Sequence, residues 1–80
     1  MIKVLLYKKE NCKLCDEAES TLERLKKEKK FFLVRIMLEP NTDLSRRFEN
    51  KVPVIFINDK VILEFRFDEA AFLRKLAEFE

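Results

Sequence analysis

Cys12-Lys13-Leu14-Cys15 lies at the join between two patterns that cannot belong to one element. Before it, Ile2 to Tyr7 is short, apolar and β-prone, as a central buried strand is. After it, Leu14, Ala18, Leu22 and Leu25 recur at helical spacing, which predicts one long amphipathic helix from Cys12 to about Lys29. Glu23 and Lys27 offer this helix an i,i+4 pair. Phe31 to Met37 then reads as a second strand, with Phe32, Val34 and Ile36 on one face and Arg35 interrupting the other. Strand, helix, strand in so short a span is a βαβ unit, so the two strands should run parallel with a right-handed crossover.

Pro40-Asn41-Thr42 breaks the pattern, and a short helix from about Thr42 to Asn50 can follow, with Leu44 and Phe48 facing inward. Val52-Pro53 leads into a buried strand, Val54 to Ile57. Asn58-Asp59 is a tight turn, and Val61 to Phe67 reads as the returning strand, its charges giving it the character of a sheet edge. Asp68 can cap a last helix running to Phe79, with Phe72, Leu76 and Phe79 on its core face. The order is βαβαββα: an α/β fold with one four-stranded mixed sheet and helices on both faces, in a single domain, 1–80. Tyr7, Phe56 and Phe65 are expected in the core.

Composition removes several functions. Hydrophobic residues at 48% and charged residues at 40% argue against disorder. A net charge of +2 is too small to imply nucleic acid. The basic run Lys26, Lys27, Lys29, Lys30 suits the negative end of a helix dipole. No stretch is apolar and long enough to span a membrane, and Met1-Ile2-Lys3 runs straight into a strand pattern, unlike a signal peptide. The expectation is a cytoplasmic monomer with no membrane partner. The chain contains no glycine, so its turns must be built from Asn, Asp, Lys or Pro.

Two Cys three apart on a first helical turn are neighbours on one face and can close a disulfide with little backbone movement. A helix start carries unpaired N–H groups and the positive end of the macrodipole, both of which favour a thiolate. Lys8, Lys9 and Lys13 add positive charge nearby, whereas Asp16 adds a negative one. A Cys so placed can have its pKa lowered from about 8.5 to roughly 3.5–7.5. The polar loop before Cys12 should leave that sulfur exposed to attack a disulfide, and Cys15, more covered, should resolve the intermediate. A metal site needs about four ligands; with no His and one Cys pair, only a dimer donating two pairs, or added carboxylates, could hold zinc.

These residues resemble a family. The order βαβαββα, the Cys-x-x-Cys after the first strand and Val52-Pro53 before the third look like the glutaredoxin branch of the thioredoxin-like fold. Tyr7-Lys8-Lys9-Glu10-Asn11-Cys12 resembles the glutaredoxin approach to the active site, and Val52-Pro53-Val54-Ile55-Phe56-Ile57 its Val-Pro-x-Ile-Phe-Ile run. Cys12-Lys13-Leu14-Cys15-Asp16 is closer to the small glutaredoxin-like proteins of the DUF836 group, which typically read Cys-x-Leu-Cys-Asp. Lys13-Leu14 stands where glutaredoxins carry Pro-Tyr, Lys51 replaces a Thr, and Phe65-Arg66 corresponds roughly to a Gly-Gly pair.

The resemblance implies a thiol–disulfide oxidoreductase with Cys12 and Cys15 catalytic. It implies a cis Val52–Pro53 bond whose backbone pairs with an extended substrate. Lys9, Lys13, Leu14, Val52, Pro53 and Asp68 are the candidate substrate-binding residues. No tightly bound cofactor or metal is expected, and glutathione is at most a weak co-substrate. Expected partners are protein or peptide disulfides, with an unidentified thiol reductase or glutathione as electron donor. A non-catalytic thioredoxin-like binding module and a metal-bridged dimer are the alternatives.

Overall fold

The computed structural model describes all residues, 1–80. Seven elements follow in the order β1 (Lys3–Lys8), α1 (Lys13–Lys29), β2 (Phe32–Met37), α2 (Asp43–Phe48), β3 (Val54–Ile57), β4 (Lys60–Leu63) and α3 (Glu69–Phe79). They make a four-stranded sheet in the order β2-β1-β3-β4. β1 runs parallel to β2, from Lys3 opposite Phe32 to Lys8 opposite Met37. β3 runs antiparallel to β1, with Leu6 opposite Ile55, and β4 antiparallel to β3.

Alternation along the strands sorts the side chains into two layers. Val4 and Leu6 of β1 and Ile55 and Ile57 of β3 face Ala18, Leu22 and Leu25 of α1 and Phe72 and Leu76 of α3. Every one of these is essentially fully buried, and each large one contributes about 1.5–3 kcal/mol of transfer free energy. Tyr7, Val54 and Phe56 point the other way, toward Leu44 and Phe48 of α2. Three aromatic rings meet there: Tyr7 lies 5.0 Å from Phe48 and 5.3 Å from Phe56, centroid to centroid.

The structure corrects several sequence expectations. Leu14 is exposed, and the buried stripe of α1 begins at Cys15 instead. Phe32, Val34 and Ile36 do share a face, but β2 is an edge strand and the six-residue α2 is too short to cover them, so Phe32 and Val34 stay exposed. Glu23 pairs with Lys26 and Arg35, not with Lys27. β4 ends at Leu63 rather than Phe67, because the Phe65 N–H leaves the sheet and donates to the Lys51 carbonyl at 2.7 Å. Phe65 is thereby exposed, not core.

A chain without glycine must place ordinary residues in left-handed backbone. Asn11, Asn41 and Asn58 take three of these positions, which Asn tolerates; Lys30 (φ 56°) and Phe65 (φ 73°) take the other two. Lys30 ends α1, its N–H donating to the Lys26 carbonyl at 3.1 Å.

Charges also bind α1 to the sheet. Lys8 at the end of β1 pairs with Glu19 and, at 3.6 Å, with Asp16. Arg35 of β2 pairs with Glu19 and Glu23 from the other side. The hydrogen bond from Lys8 holds the Glu19 carboxyl below its usual range, and the same bond raises the Lys8 ammonium above its own.

Two predictions follow from this framework. Relief of the left-handed penalty at Lys30, about 1–2 kcal/mol, exceeds the entropic cost of glycine, about 0.5–1 kcal/mol, so Lys30→Gly should raise stability by up to about 1 kcal/mol in urea titrations. Glu19→Gln should cost about 1 kcal/mol at pH 7. Because the folded Glu19 is more acidic than its ordinary 4.5, its stabilisation is fully present above that value and is lost as pH falls through the lower folded one. The gap between the wild type and the variant should therefore close on acidification; a gap independent of pH would assign the effect to packing.

Candidate functional site

The end of β1 delivers the chain to the first turn of α1 through a polar loop, in which Asn11 adopts φ 56°. Cys12 is the N-cap: its backbone is extended, and its Sγ accepts a hydrogen bond from the Cys15 N–H at 3.1 Å. A sulfur thus takes the place usually held by a Ser or Asp oxygen, satisfying one of the N–H groups that a helix start leaves unpaired. Cys12 and Cys15 are joined as a disulfide with Cα atoms 5.2 Å apart. Cys15 is fully buried, whereas Cys12 is partly exposed.

Val52 and Val54 pack around this pair, together with Leu38, Tyr7, Leu44, Phe48 and Phe56. The Val52–Pro53 bond is cis, and both residues are buried. The fold thus brings Cys12, Cys15 and Val52, separated by some forty residues in the chain, into one apolar cluster. Leu14 lies half-exposed beside it, at 49%, facing a hollow of about 190 Å³ that Arg66 and Phe67 close from the other side.

The lysines are distributed differently from expectation. Lys8 spends its charge on Glu19 and Asp16. Lys9 donates to the Glu49 backbone carbonyl at 2.9 Å, at the C-terminal end of α2, where a cation meets the negative end of that helix. It lines a second hollow, of about 380 Å³, together with the carboxylates of Glu10, Glu39 and Glu49. An anionic ligand there would meet more negative charge than positive. Lys13 is exposed and makes no ion pair. The helix start is therefore the cationic environment most directly aimed at the Cys12 sulfur.

Asp68 caps α3, its carboxylate accepting from the Ala71 N–H at 3.0 Å. No group of three or more His, Cys, Asp or Glu side chains is gathered in a metal-holding arrangement. No helix is long and apolar enough to cross a membrane. The features that sequence reasoning missed are the bond from Phe65 to Lys51 and the Lys8–Glu19 pair. Both join distant segments, and neither has a local signal.

Comparison with known proteins agrees with this geometry. The family described as "Glutaredoxin-like domain (DUF836)" matches residues 3–77. The solution NMR structure of protein Ne2328 from Nitrosomonas europaea is 30% identical, with a TM-score of 0.76, over 92% of this chain and 89% of that one. Thioredoxin-2, described as a component of malaria parasite protein secretion machinery, is 22% identical, with a TM-score of 0.70, over 100% of this chain and 84% of its own. Glutaredoxin 1 from Francisella tularensis is 16% identical, with a TM-score of 0.59, over 99% and 96%. These last two share the fold. No curated protein sequence matches significantly. With the family match running from the first strand into the last helix, the chain belongs to the glutaredoxin-like DUF836 family and has a thioredoxin-type fold.

Proposed function

We propose that this protein is a thiol–disulfide oxidoreductase that acts on protein or peptide disulfides in the cytoplasm. The observation that carries the reading is the hydrogen bond from the Cys15 N–H to a partly exposed Cys12 Sγ at the start of α1, with Cys15 buried behind it.

In the reduced protein, Cys12 is the thiolate. It attacks one sulfur of the substrate disulfide, forming a mixed disulfide and expelling the other sulfur as a thiolate, which takes up a proton. Cys15 loses its proton and attacks the Cys12 Sγ. That bond forms as the mixed disulfide breaks, so the substrate leaves with two thiols and the protein holds Cys12–Cys15 as a disulfide. Two electrons have passed to the substrate. An external dithiol, a thiol reductase or glutathione returns them. Stabilising the Cys12 thiolate makes Cys12 the better leaving group in the second step. The backbone of Val52, beside both cysteines, would pair with the extended substrate chain, with Leu14 and Lys13 at the margin.

Glutathione is a weak substrate in this reading. Lys9 is engaged with the Glu49 carbonyl among three carboxylates, and the Asp68 carboxylate is occupied as a helix cap. Losing two hydrogen bonds of about 0.5–1.5 kcal/mol each weakens affinity by roughly tenfold or more.

Alkylation across a pH series tests the roles of the two thiols. Cys15→Ser should retain a group whose reactivity levels off at a pKa below about 7.5, and Cys12→Ser should lose it. Faster reaction at Cys15 would reverse the roles. Turnover tests the function itself: with dithiothreitol as donor, the wild type should accelerate reduction of a protein disulfide and Cys12→Ser should not, while pre-reduced Cys15→Ser, freed of reductant and mixed with the protein disulfide, should stop at the mixed disulfide on Cys12. A glutathione mixed disulfide should turn over about tenfold more slowly than the protein disulfide. A wild type no faster than Cys12→Ser would leave the chain as a binding module.

A further inference from the structure

β2 is an edge strand with β1 as its one neighbour. The Phe32 N–H donates to the Ile2 carbonyl at 2.9 Å and the Leu38 N–H to the Lys8 carbonyl at 2.8 Å, so the even-numbered residues of β2 turn their backbone groups toward β1. Leu33, Arg35 and Met37 turn theirs to the open edge. Natural edges are blunted by charges, proline, bulges or short length. β4, at the opposite edge, has four residues and a register shift against β3. β2 has six residues, no proline and an unbroken register, and its one charge, Arg35, is drawn onto α1 by Glu19 and Glu23. On the face that α2 leaves bare, Phe32 is 60% exposed and Val34 40%.

We infer that β2 is the joint of a weak homodimer, in which it pairs antiparallel with β2 of a second copy and makes one continuous sheet. Composition alone leads to the monomer expected above; the bare edge selects the dimer. Across that edge odd-numbered residues must pair with odd-numbered ones, and the registers that keep most of the strand are centred on Arg35 or on Val34. Centring on Arg35 sets two arginines directly opposite each other, which is destabilising. Centring on Val34 sets Val34 against the partner's Val34 and Phe32 against the partner's Ile36, all on the bare face. Leu33 and the partner's Arg35 then exchange backbone hydrogen bonds. The same register brings the basic start of the strand, Lys29 and Lys30, toward the partner's Glu39, and none of them has an ion-pair partner in its own chain. The strand is thus complementary to itself, as a two-fold interface requires. A joint of this length covers well under the roughly 800 Å² per partner of a stable complex, so the Kd should lie between about 1 μM and about 1 mM. The inference does not depend on the oxidoreductase reading.

Sedimentation equilibrium in dithiothreitol, which removes any intermolecular disulfide, should show the wild type passing from monomer toward dimer as its concentration is raised from about 1 μM to about 1 mM. Val34→Glu and Val34→Lys should each weaken the dimer by about tenfold or more, since each sets like charges opposite one another across the two-fold axis. An equimolar mixture of the two should restore it, because Glu then faces Lys. Circular dichroism should show both variants folded, the side chain being exposed. A second measurement does not depend on their folding. In a Cys12→Ser, Cys15→Ser background, Val34→Cys should cross-link to its partner on oxidation, because facing residues at such a position have Cα atoms about 4.5 Å apart. Val61→Cys, equally exposed but on β4, should not. A wild type that stays monomeric up to about 1 mM overturns the inference and leaves the edge to a foreign strand or to water. It is also overturned by a dimer unaltered in both charged variants, by a mixture no more associated than either variant alone, or by equal cross-linking at the two cysteine positions.

Discussion

The first turn of α1 is capped by sulfur, and the placement of the site depends on that bond. A helix start must give its free N–H groups to some acceptor, and here the Cys15 N–H finds the Cys12 Sγ. The bond fixes where the helix begins after β1. It turns Cys15 inward at the head of the stripe formed by Ala18, Leu22 and Leu25, and leaves Cys12 at the surface. One interaction therefore separates the environments of two chemically identical residues. A sulfur that already accepts an N–H in the disulfide has the same donor beside it when it becomes a thiolate.

The charged residues support that turn mechanically more than electrostatically. By sequence position Lys8 is a cation for the thiol, but its ammonium is paired with Glu19 and Asp16. Arg35 completes a ladder from β1 across α1 to β2. Its effect is to hold the first turns of α1 against the ends of the two parallel strands, the end of the sheet where the site lies. The ladder sets Asp16, Glu19 and Glu23 against Lys8, Arg35 and Lys26, so its charges balance one another. That leaves the helix terminus as the principal source of positive potential at Cys12.

The missing glycine shapes the turns of the fold. Left-handed positions are required wherever a helix must stop or a strand must turn sharply, and this chain fills them with Asn, Lys and Phe. Asn bears the conformation readily because its side chain can bond locally, whereas Phe has no such compensation. At Phe65 the long-range bond to Lys51 holds the backbone in place, ends β4 early and leaves the side chain exposed.

The element order, the parallel β1–β2 pair, the helix cap at Asp68, and the cysteine pair at the strand–helix join were all legible in the sequence. Each rests on local signals: apolar period, capping residue and spacing. The sequence alone also established that only these two cysteines could carry thiol chemistry. It placed Leu14 in the apolar stripe of α1, where the N-cap geometry turns Leu14 out and begins the stripe at Cys15, the cysteine that the sequence already marked as the more covered. It did not reveal that Lys8 and Lys9 are engaged by Glu19 and the Glu49 carbonyl, or that Phe65 leaves the sheet. Those were decided by the tertiary structure, because each pairs groups that only the folded sheet brings within hydrogen-bonding distance.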